Sequence, residues 1–258
     1  MRCSPVLHAP LWCEVSALDG RVALVTGAGR RVGRAIAIAL GAQGMRVVAH
    51  YNDSADGAGE TARLVTAAGG AGVLARADLR EVGSCERLID DVVSGQGELH
   101  TLVNSAAIML RTPVGMVTQA DWDTMYAINV RAPFFLSQRA APALKVSGGN
   151  VVNIADLAAF ETWTGYVPHG MTKAAVVQMT RALAHALAPE VRVNAVAPGV
   201  VLLPDEFDEA QALHLRRTTP LQRIGTPEDV ADAVVYLATA GFVTGEVIRV
   251  DGGRHVRR

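Results

Sequence analysis

One short stretch constrains this chain more than any other. An apolar run, Val22-Ala-Leu-Val25, leads into Thr26-Gly-Ala-Gly-Arg-Arg-Val-Gly33, and then Val32, Ala35, Ile36, Ala39 and Leu40 recur at helical spacing. A buried strand that turns through glycines straight into a helix is the architecture of a phosphate site. Glycines let a ligand come close to the backbone, and the helix N-terminus offers free N–H groups and a partial positive charge. The glycines Gly27, Gly29 and Gly33 are not spaced as in the common dinucleotide fingerprint G-x-G-x-x-G.

The rest of the chain repeats this alternation. Apolar runs at Val22–Val25, Val47–Ala49, Val73–Ala75, Leu99–Val103, Val151–Ile154, Val191–Val196 and Val247–Val250 predict strands. Helical patterns lie between them: Leu88, Ile89, Val92 and Val93; Val176, Met179, Leu183 and Leu187; Val230, Val234, Leu237 and Ala238. Strand–helix alternation predicts an α/β fold: a single-domain, Rossmann-like, doubly wound parallel sheet with helices on both faces. Ligands of such sheets bind beyond the C-terminal strand ends, where strand order reverses. No linker, repeat or low-complexity break interrupts residues 19–258, which we take as one domain. Residues 1–18 carry Pro5, His8, Pro10 and Glu14 among scattered apolar residues. They lack the continuous apolar region of a signal peptide and read as a poorly ordered extension.

Composition narrows the partners. The 258 residues suffice for a large core, and half are hydrophobic while only 5% are aromatic; small and branched side chains suit helices packed closely on a parallel sheet. A net charge of −1 gives no basis for a nucleic-acid surface, and no apolar run approaches the roughly 18 residues that span a bilayer. Cys3, Cys13 and Cys85 have no metal-like spacing. They read as free thiols in a reducing cytoplasm, and no metal site is expected.

The turn Thr26–Gly33 resembles the T-G-x-x-x-G-x-G motif of the short-chain dehydrogenase/reductase family, with Arg31 in place of its middle glycine. So do the turn Asn104-Ser-Ala-Ala107, the segment Val191-Arg-Val-Asn-Ala-Val-Ala-Pro-Gly199 and the C-terminal Val250-Asp-Gly-Gly253. The resemblance runs from residue 21 to nearly the end of the chain. Arg31 makes it similar to the pteridine reductase branch, and so does Asp156, which stands where the family has its catalytic serine. The family follows that serine by a tyrosine 13 residues on and a lysine four further; here these are His169 and Lys173. Tyr166 aligns with a non-catalytic tyrosine. Asn129 matches the fourth catalytic position, whose helix carries a carbonyl-bound water toward the lysine. The resemblance also implies a homotetramer built through the long helices after the fourth and fifth strands, and the alanine-rich stretch 174–188 permits such close approach.

A histidine at 169 changes the chemistry. Residues 169 and 173 lie one turn apart on one helix face. A tyrosine hydroxyl, with a free pKa of about 10, needs a nearby ammonium; imidazole donates a proton near neutrality without one. A neighbouring Asp156 carboxylate stabilises the imidazolium. Asp156 and His169 are therefore expected to deliver the proton, with Lys173 holding the nicotinamide ribose and Asn129 in support. The alternative is a relic histidine in a chain that binds cofactor with little turnover.

For the cofactor, the resemblance assigns Gly27, Gly29, Arg30, Arg31, Val32 and Gly33 to the pyrophosphate and 2′-phosphate end. Asn52 and Asp53 go to the ribose, Ser54 offers its hydroxyl to the phosphate, and Asp78 and Leu79 go to the adenine edge. Asn104, Ser105, Ala106, Lys173, Pro198 and Gly199 go to the nicotinamide half. Two guanidiniums in the turn favour NADPH. Asp53, some 20 residues after Gly33, is suited instead to the ribose hydroxyls of NADH, so NADH remains the less favoured choice. Met109 stands where pteridine reductases stack the substrate on a phenylalanine, and Phe160, Trp163 and Tyr166 with Asp156 complete the expected substrate wall. Val200–Thr226, marked by Pro204 and the acidic residues 205–209, reads as the substrate lid. The favoured substrate is a pterin or dihydropterin. Reduction of a 3-oxoacyl or ketone carbonyl and a catalytically weak NADP(H)-binding homologue are the alternatives.

Overall fold

The computed structural model describes residues 17–203 and 208–256. Residues 1–16 of the expected N-terminal extension, with Cys3 and Cys13, and Pro204 with most of the acidic string lie outside them; Leu18, counted in that extension, is instead buried in the core. Among the described residues one sheet of seven parallel strands runs through the molecule in the order β3-β2-β1-β4-β5-β6-β7. The strands are β1 Val22–Val25, β2 Arg46–Tyr51, β3 Ala71–Arg76, β4 Thr101–Asn104, β5 Asn150–Ile154, β6 Arg192–Pro198 and β7 Val247–Val250. The expected fold class is thus the observed one. Strand order reverses between β1 and β4, which places the ligand crevice at their C-terminal ends.

The helices are α1 Arg31–Ala42, α2 Ala55–Ala67, α3 Val82–Gln96, α4 Gln119–Tyr126, α5 Ala132–Ser147, α6 Val167–Leu187, α7 Glu209–Thr218 and α8 Pro227–Thr239. They cover the sheet in two layers. On one face Ile36 and Leu40 of α1, Val65 of α2 and Val230, Val234 and Leu237 of α8 close over Val25, Val47, Val103, Val152 and Val196. On the other, Leu88 and Ile89 of α3, Leu136 and Leu144 of α5 and Ala184 of α6 close over Leu24, Val48, Leu102, Val151 and Val193. Alternate residues of each central strand feed opposite layers, as a sheet buried on both faces requires.

Two departures from the sequence pattern bear on the site. Strands β4 and β5 each take in a buried polar residue beyond the apolar runs, Asn104 and Asn150, and β6 runs on through Ala197 and Pro198. Asn104 Nδ2 donates to Asn153 Oδ1 (2.8 Å), and Asn153 Nδ2 donates to Thr180 Oγ1 on α6 (2.9 Å). The helical stretch Trp122–Leu136 is not one α-helix: α4 passes into a π-helical turn at Ala127–Arg131 before α5 begins. Asn129 sits in that turn. Cys85 is buried and free, and burial pushes its thiol up to about 11.

Candidate active site

The glycine turn is held from three sides. Thr26 Oγ1 accepts from the backbone N–H groups of Ser105 and Ala106, both at 3.0 Å, and donates to Val103 O. This staples the end of β1 to the loop after β4. His50, 2% exposed at the end of β2, accepts from Gly27 N–H through Nδ1 (3.1 Å), and its Nε2 lies 3.1 Å from Ala77 O. A carbonyl only accepts, so the ring is the neutral Nε2–H tautomer. Arg34 of α1 donates to Gly29 O (2.7 Å) and Gly57 O, tying the turn to α2. Sequence reasoning missed Thr26, His50 and Arg34, because their roles depend on contacts across strands.

The glycines are required by what lies against them. A Cβ at Gly27 would come 2.8 Å from Ala106 Cα, and φ is +66° there. At Gly33 it would run into the Gly27 carbonyl. Small residues at 27, 33 and 106 thus leave a backbone cradle at the N-terminus of α1, the arrangement a dinucleotide pyrophosphate takes. Arg31 occupies the family's glycine position with φ +53°, a conformation that costs an L-residue about 1 kcal/mol. Arg30 and Arg31 are both exposed. Ser54, the residue before α2, touches the turn: its Oγ would lie 3.3 Å from a Cβ on Gly29.

At the adenine end a cavity of about 480 Å³ is lined by Asn52, Asp53, Asp78, Arg76, Arg80 and Arg87, among others. Asp53 accepts from Asn52 Nδ2, and Arg76 donates to Asn52 O. Arg80 grips the Asp78 carboxylate with two nitrogens, and that contact holds its pKa below the ordinary carboxylate value. Leu79 is buried under α3. The Asn104 side chain points into the buried polar chain described above, so its backbone is what borders the crevice. Gly199 packs against Asp251, whose Cβ would lie 2.7 Å from a Cβ at 199.

The four expected catalytic residues converge. His169, 2% exposed in the first turn of α6, places Nδ1 3.3 Å from Ile108 O. Nδ1 therefore carries a proton. Nε2 has no hydrogen-bond partner and is 3.7 Å from Asp156 Oδ2, beyond hydrogen-bonding reach. Asp156 caps the short 3-10 turn Leu157–Ala159, its Oδ1 accepting from Ala158 N at 2.8 Å. Lys173, one turn further along α6, donates to Ile154 O at 2.8 Å, and burial pushes its pKa down while Asp156 pulls it up. Asn129 holds both backbone groups of Ile108, donating to its O and accepting from its N–H, each at 2.9 Å, and also donates to Thr172 Oγ1. The Ile108 carbonyl thus receives Asn129 and His169 together, a link no sequence pattern marks.

The expected substrate wall is only partly assembled. Met109 is 46% exposed beside Ile108. Trp163 and Tyr166 meet edge to face at 6.3 Å, and Trp163 Nε1 donates to Glu161. Phe160 is covered on one face by the Arg249 guanidinium, 4.3 Å above the ring centroid.

Buried strand ends, a glycine cradle and a histidine–lysine pair on one helix define a nucleotide-dependent oxidoreductase site on a Rossmann-like sheet. Residues 27–255 match the family model described as enoyl-(acyl carrier protein) reductase, and the chain belongs to this short-chain dehydrogenase/reductase family. A Streptomyces violaceoruber protein named as ketoacyl reductase 2 of the granaticin polyketide synthase is 37% identical over 246 residues, covering 92% of this chain and 97% of that one. A 3-oxoacyl-[acyl-carrier-protein] reductase of Synechocystis is 33% identical over 244 residues, covering 93% and 98%. Among solved structures, a 7α-hydroxysteroid dehydrogenase in complex with NADH and 7-oxoglycochenodeoxycholic acid superimposes with a TM-score of 0.87 at 31% identity, covering 92% and 94%. Among the described residues no helix is long and apolar enough to cross a membrane, and no group of histidine, cysteine and carboxylate side chains is arranged to hold a metal.

Proposed function

We propose that this chain reduces a carbonyl group of a 3-oxoacyl or related ketone substrate with NADPH, His169 supplying the proton. The cofactor supplies hydride to the carbonyl carbon. The proton passes from His169 Nε2 to the carbonyl oxygen, so that C=O becomes CH–OH. The observation that carries this is the unpartnered Nε2: the Ile108 carbonyl takes Nδ1–H, and Asp156 stands 3.7 Å away without bonding it. The ring is thus fixed at one nitrogen and left free at the other. As Nε2 gains its proton, the Asp156 carboxylate stabilises the imidazolium. Lys173, anchored on Ile154 O, adds positive charge one helical turn away. Nε2 is shut off from solvent in the free chain, so the substrate must open the crevice to reach it.

The favoured cofactor is NADPH. Exposed Arg30 and Arg31 at the turn, and Arg76, Arg80 and Arg87 around the adenine-end cavity, supply basic groups for a 2′-phosphate. Asp53 and the NADH seen in the steroid dehydrogenase keep NADH as the alternative. The relatives named above favour a carbonyl over a pterin, and Met109 offers less to a ring than an aromatic side chain. One feature favours a pterin as the second choice: Asp156 at the serine position, where a carboxyl group can serve ring-nitrogen chemistry. We further propose a homotetramer in a reducing cytoplasm, with residues 19–258 as the catalytic domain.

The test is oxidation of NADPH, against NADH, with a 3-oxoacyl thioester, a ketone series and dihydrobiopterin. Turnover is expected with the oxo substrates and NADPH. Turnover confined to dihydrobiopterin, with a heavier loss there in Asp156→Ser, transfers the assignment to the pterin class.

A further inference from the structure

Away from the crevice, a second cavity of about 470 Å³ lies between the segment after β5 and the tail after β7, lined by Phe160, Glu161, Arg249, Arg254 and His255. Its charges are unbalanced and its donors underused. The Arg254 side chain is 13% exposed, yet its Nε and Nη1 are buried without a hydrogen-bond partner. The nearest carboxylate oxygen, Glu161 Oε1, is 3.7 Å from Nε, and the other Glu161 oxygen accepts from Trp163 Nε1. A buried guanidinium with idle N–H groups is costly unless something satisfies them.

Arg249 is complementary. Its guanidinium carbon lies 4.3 Å above the Phe160 ring centroid, and a guanidinium held over a ring face keeps its N–H groups for a ligand. Its side chain has no hydrogen-bond partner among the described residues. His255 is fixed by Asp251, whose Oδ2 accepts both its backbone N–H and its Nδ1–H at 2.8 Å, and its Nε2 is left for the cavity. Two arginines against one glutamate give the lining a net positive charge before His255 is counted.

We propose that Arg249, Arg254 and His255, on a floor made by Phe160, bind a small oxyanion, a carboxylate or phosphate group. The planar forks suit two-point contact with such oxygens. The site lies outside the cofactor crevice, and its existence does not depend on the carbonyl-reductase assignment. Its ligand comes either from the substrate, as an anionic group trailing from the reacting end, or from a free anion acting on the Asp156–Phe160 segment.

The test is calorimetric titration of inorganic phosphate, and separately of succinate, into the full-length protein saturated with NADP+ so that the glycine turn is already filled. A failure of the cofactor assignment shows in the NADP+ titration itself, and NAD+ then takes its place. Saturable one-site binding is expected, weakened about tenfold or more in Arg254→Gln and in Arg249→Gln. The Arg249 side chain is exposed and makes no hydrogen bond among the described residues, so that variant folds whatever happens at 254. No saturable binding, or equal affinity in the parent and Arg249→Gln, overturns the proposal. Where binding is found, phosphate that competes with the carbonyl substrate marks the anion as part of the substrate. Phosphate that inhibits or activates without competing marks a separate effector.

Discussion

His50 takes no part in the proposed chemistry, yet the glycine turn hangs on it. Its Nδ1 accepts from Gly27 N–H and its Nε2–H faces Ala77 O, so one buried ring joins the phosphate turn to the loop that carries Asp78. That arrangement exists only for the neutral ring. Burial lowers its pKa below the ordinary 6.5. Below that value the unfolded chain takes up the proton before the folded one, so stability falls as pH drops through the window. An added proton on Nδ1 would also face the Gly27 N–H directly. Thermal midpoints taken with cofactor bound, from about pH 7 to about pH 5, should therefore fall more steeply in the parent than in His50→Asn, which can still accept from Gly27 but does not titrate. Parallel slopes would remove His50 from the turn's support. The sequence displayed His50 within the string His50-Tyr-Asn-Asp-Ser54, but only its last three members drew a role. Its partners are 23 and 27 residues away, and no local pattern records them.

At the scale of elements, the π turn at Ala127–Arg131 is the feature the periodicity hid. Apolar spacing through residues 122–136 is close enough to helical for a continuous helix to be expected, with Asn129 as a polar interruption. The structure widens the helix there instead, as helices often do at functional positions. The Asn129 side chain then reaches Ile108 and Thr172 and fixes the carbonyl that orients His169. Replacing it with alanine strips the Ile108 N–H of its partner and leaves the Ile108 carbonyl to His169 alone. Asn129→Ala should lose about 2 kcal/mol, or roughly 4–8 °C in Tm. Its kcat should fall while cofactor affinity holds, because the glycine turn is untouched. A fall in Tm with kcat intact would make Asn129 a packing residue only. The central strands were legible because their apolar runs are nearly unbroken. Their ends were not, since Asn104 and Asn150 extend β4 and β5 with polar side chains that a hydrophobic pattern cannot count.

At the scale of the molecule, the sheet order does what no single segment can. It brings the ends of β1, β4 and β5 and the first turn of α6 to one crevice, so that residues 27, 106, 129, 156, 169 and 173 become neighbours. The fold class was readable because strand–helix alternation leaves few alternatives to a doubly wound sheet. The proposed catalytic positions came from family resemblance, not from composition or spacing alone. Their connections were not: the Ile108 carbonyl, shared by Asn129 and His169, is a backbone atom that any residue supplies. Substrate choice was least legible, because it depends on loops whose side chains follow no period, such as the segments around Met109 and Phe160. Arg249 and Arg254 escaped notice for the same reason, lying in β7 and beyond it rather than near any motif.

The account rests on His169 as the proton donor, and the direct measurement is steady-state turnover of the parent and His169→Ala with the best oxo substrate and NADPH, alongside NADPH affinity in the same preparations. A fall in kcat of about 10²–10⁴ with NADPH affinity held within about twofold is predicted. Undiminished turnover in His169→Ala, or no turnover by the parent with any oxo substrate despite tight NADPH binding, would contradict it.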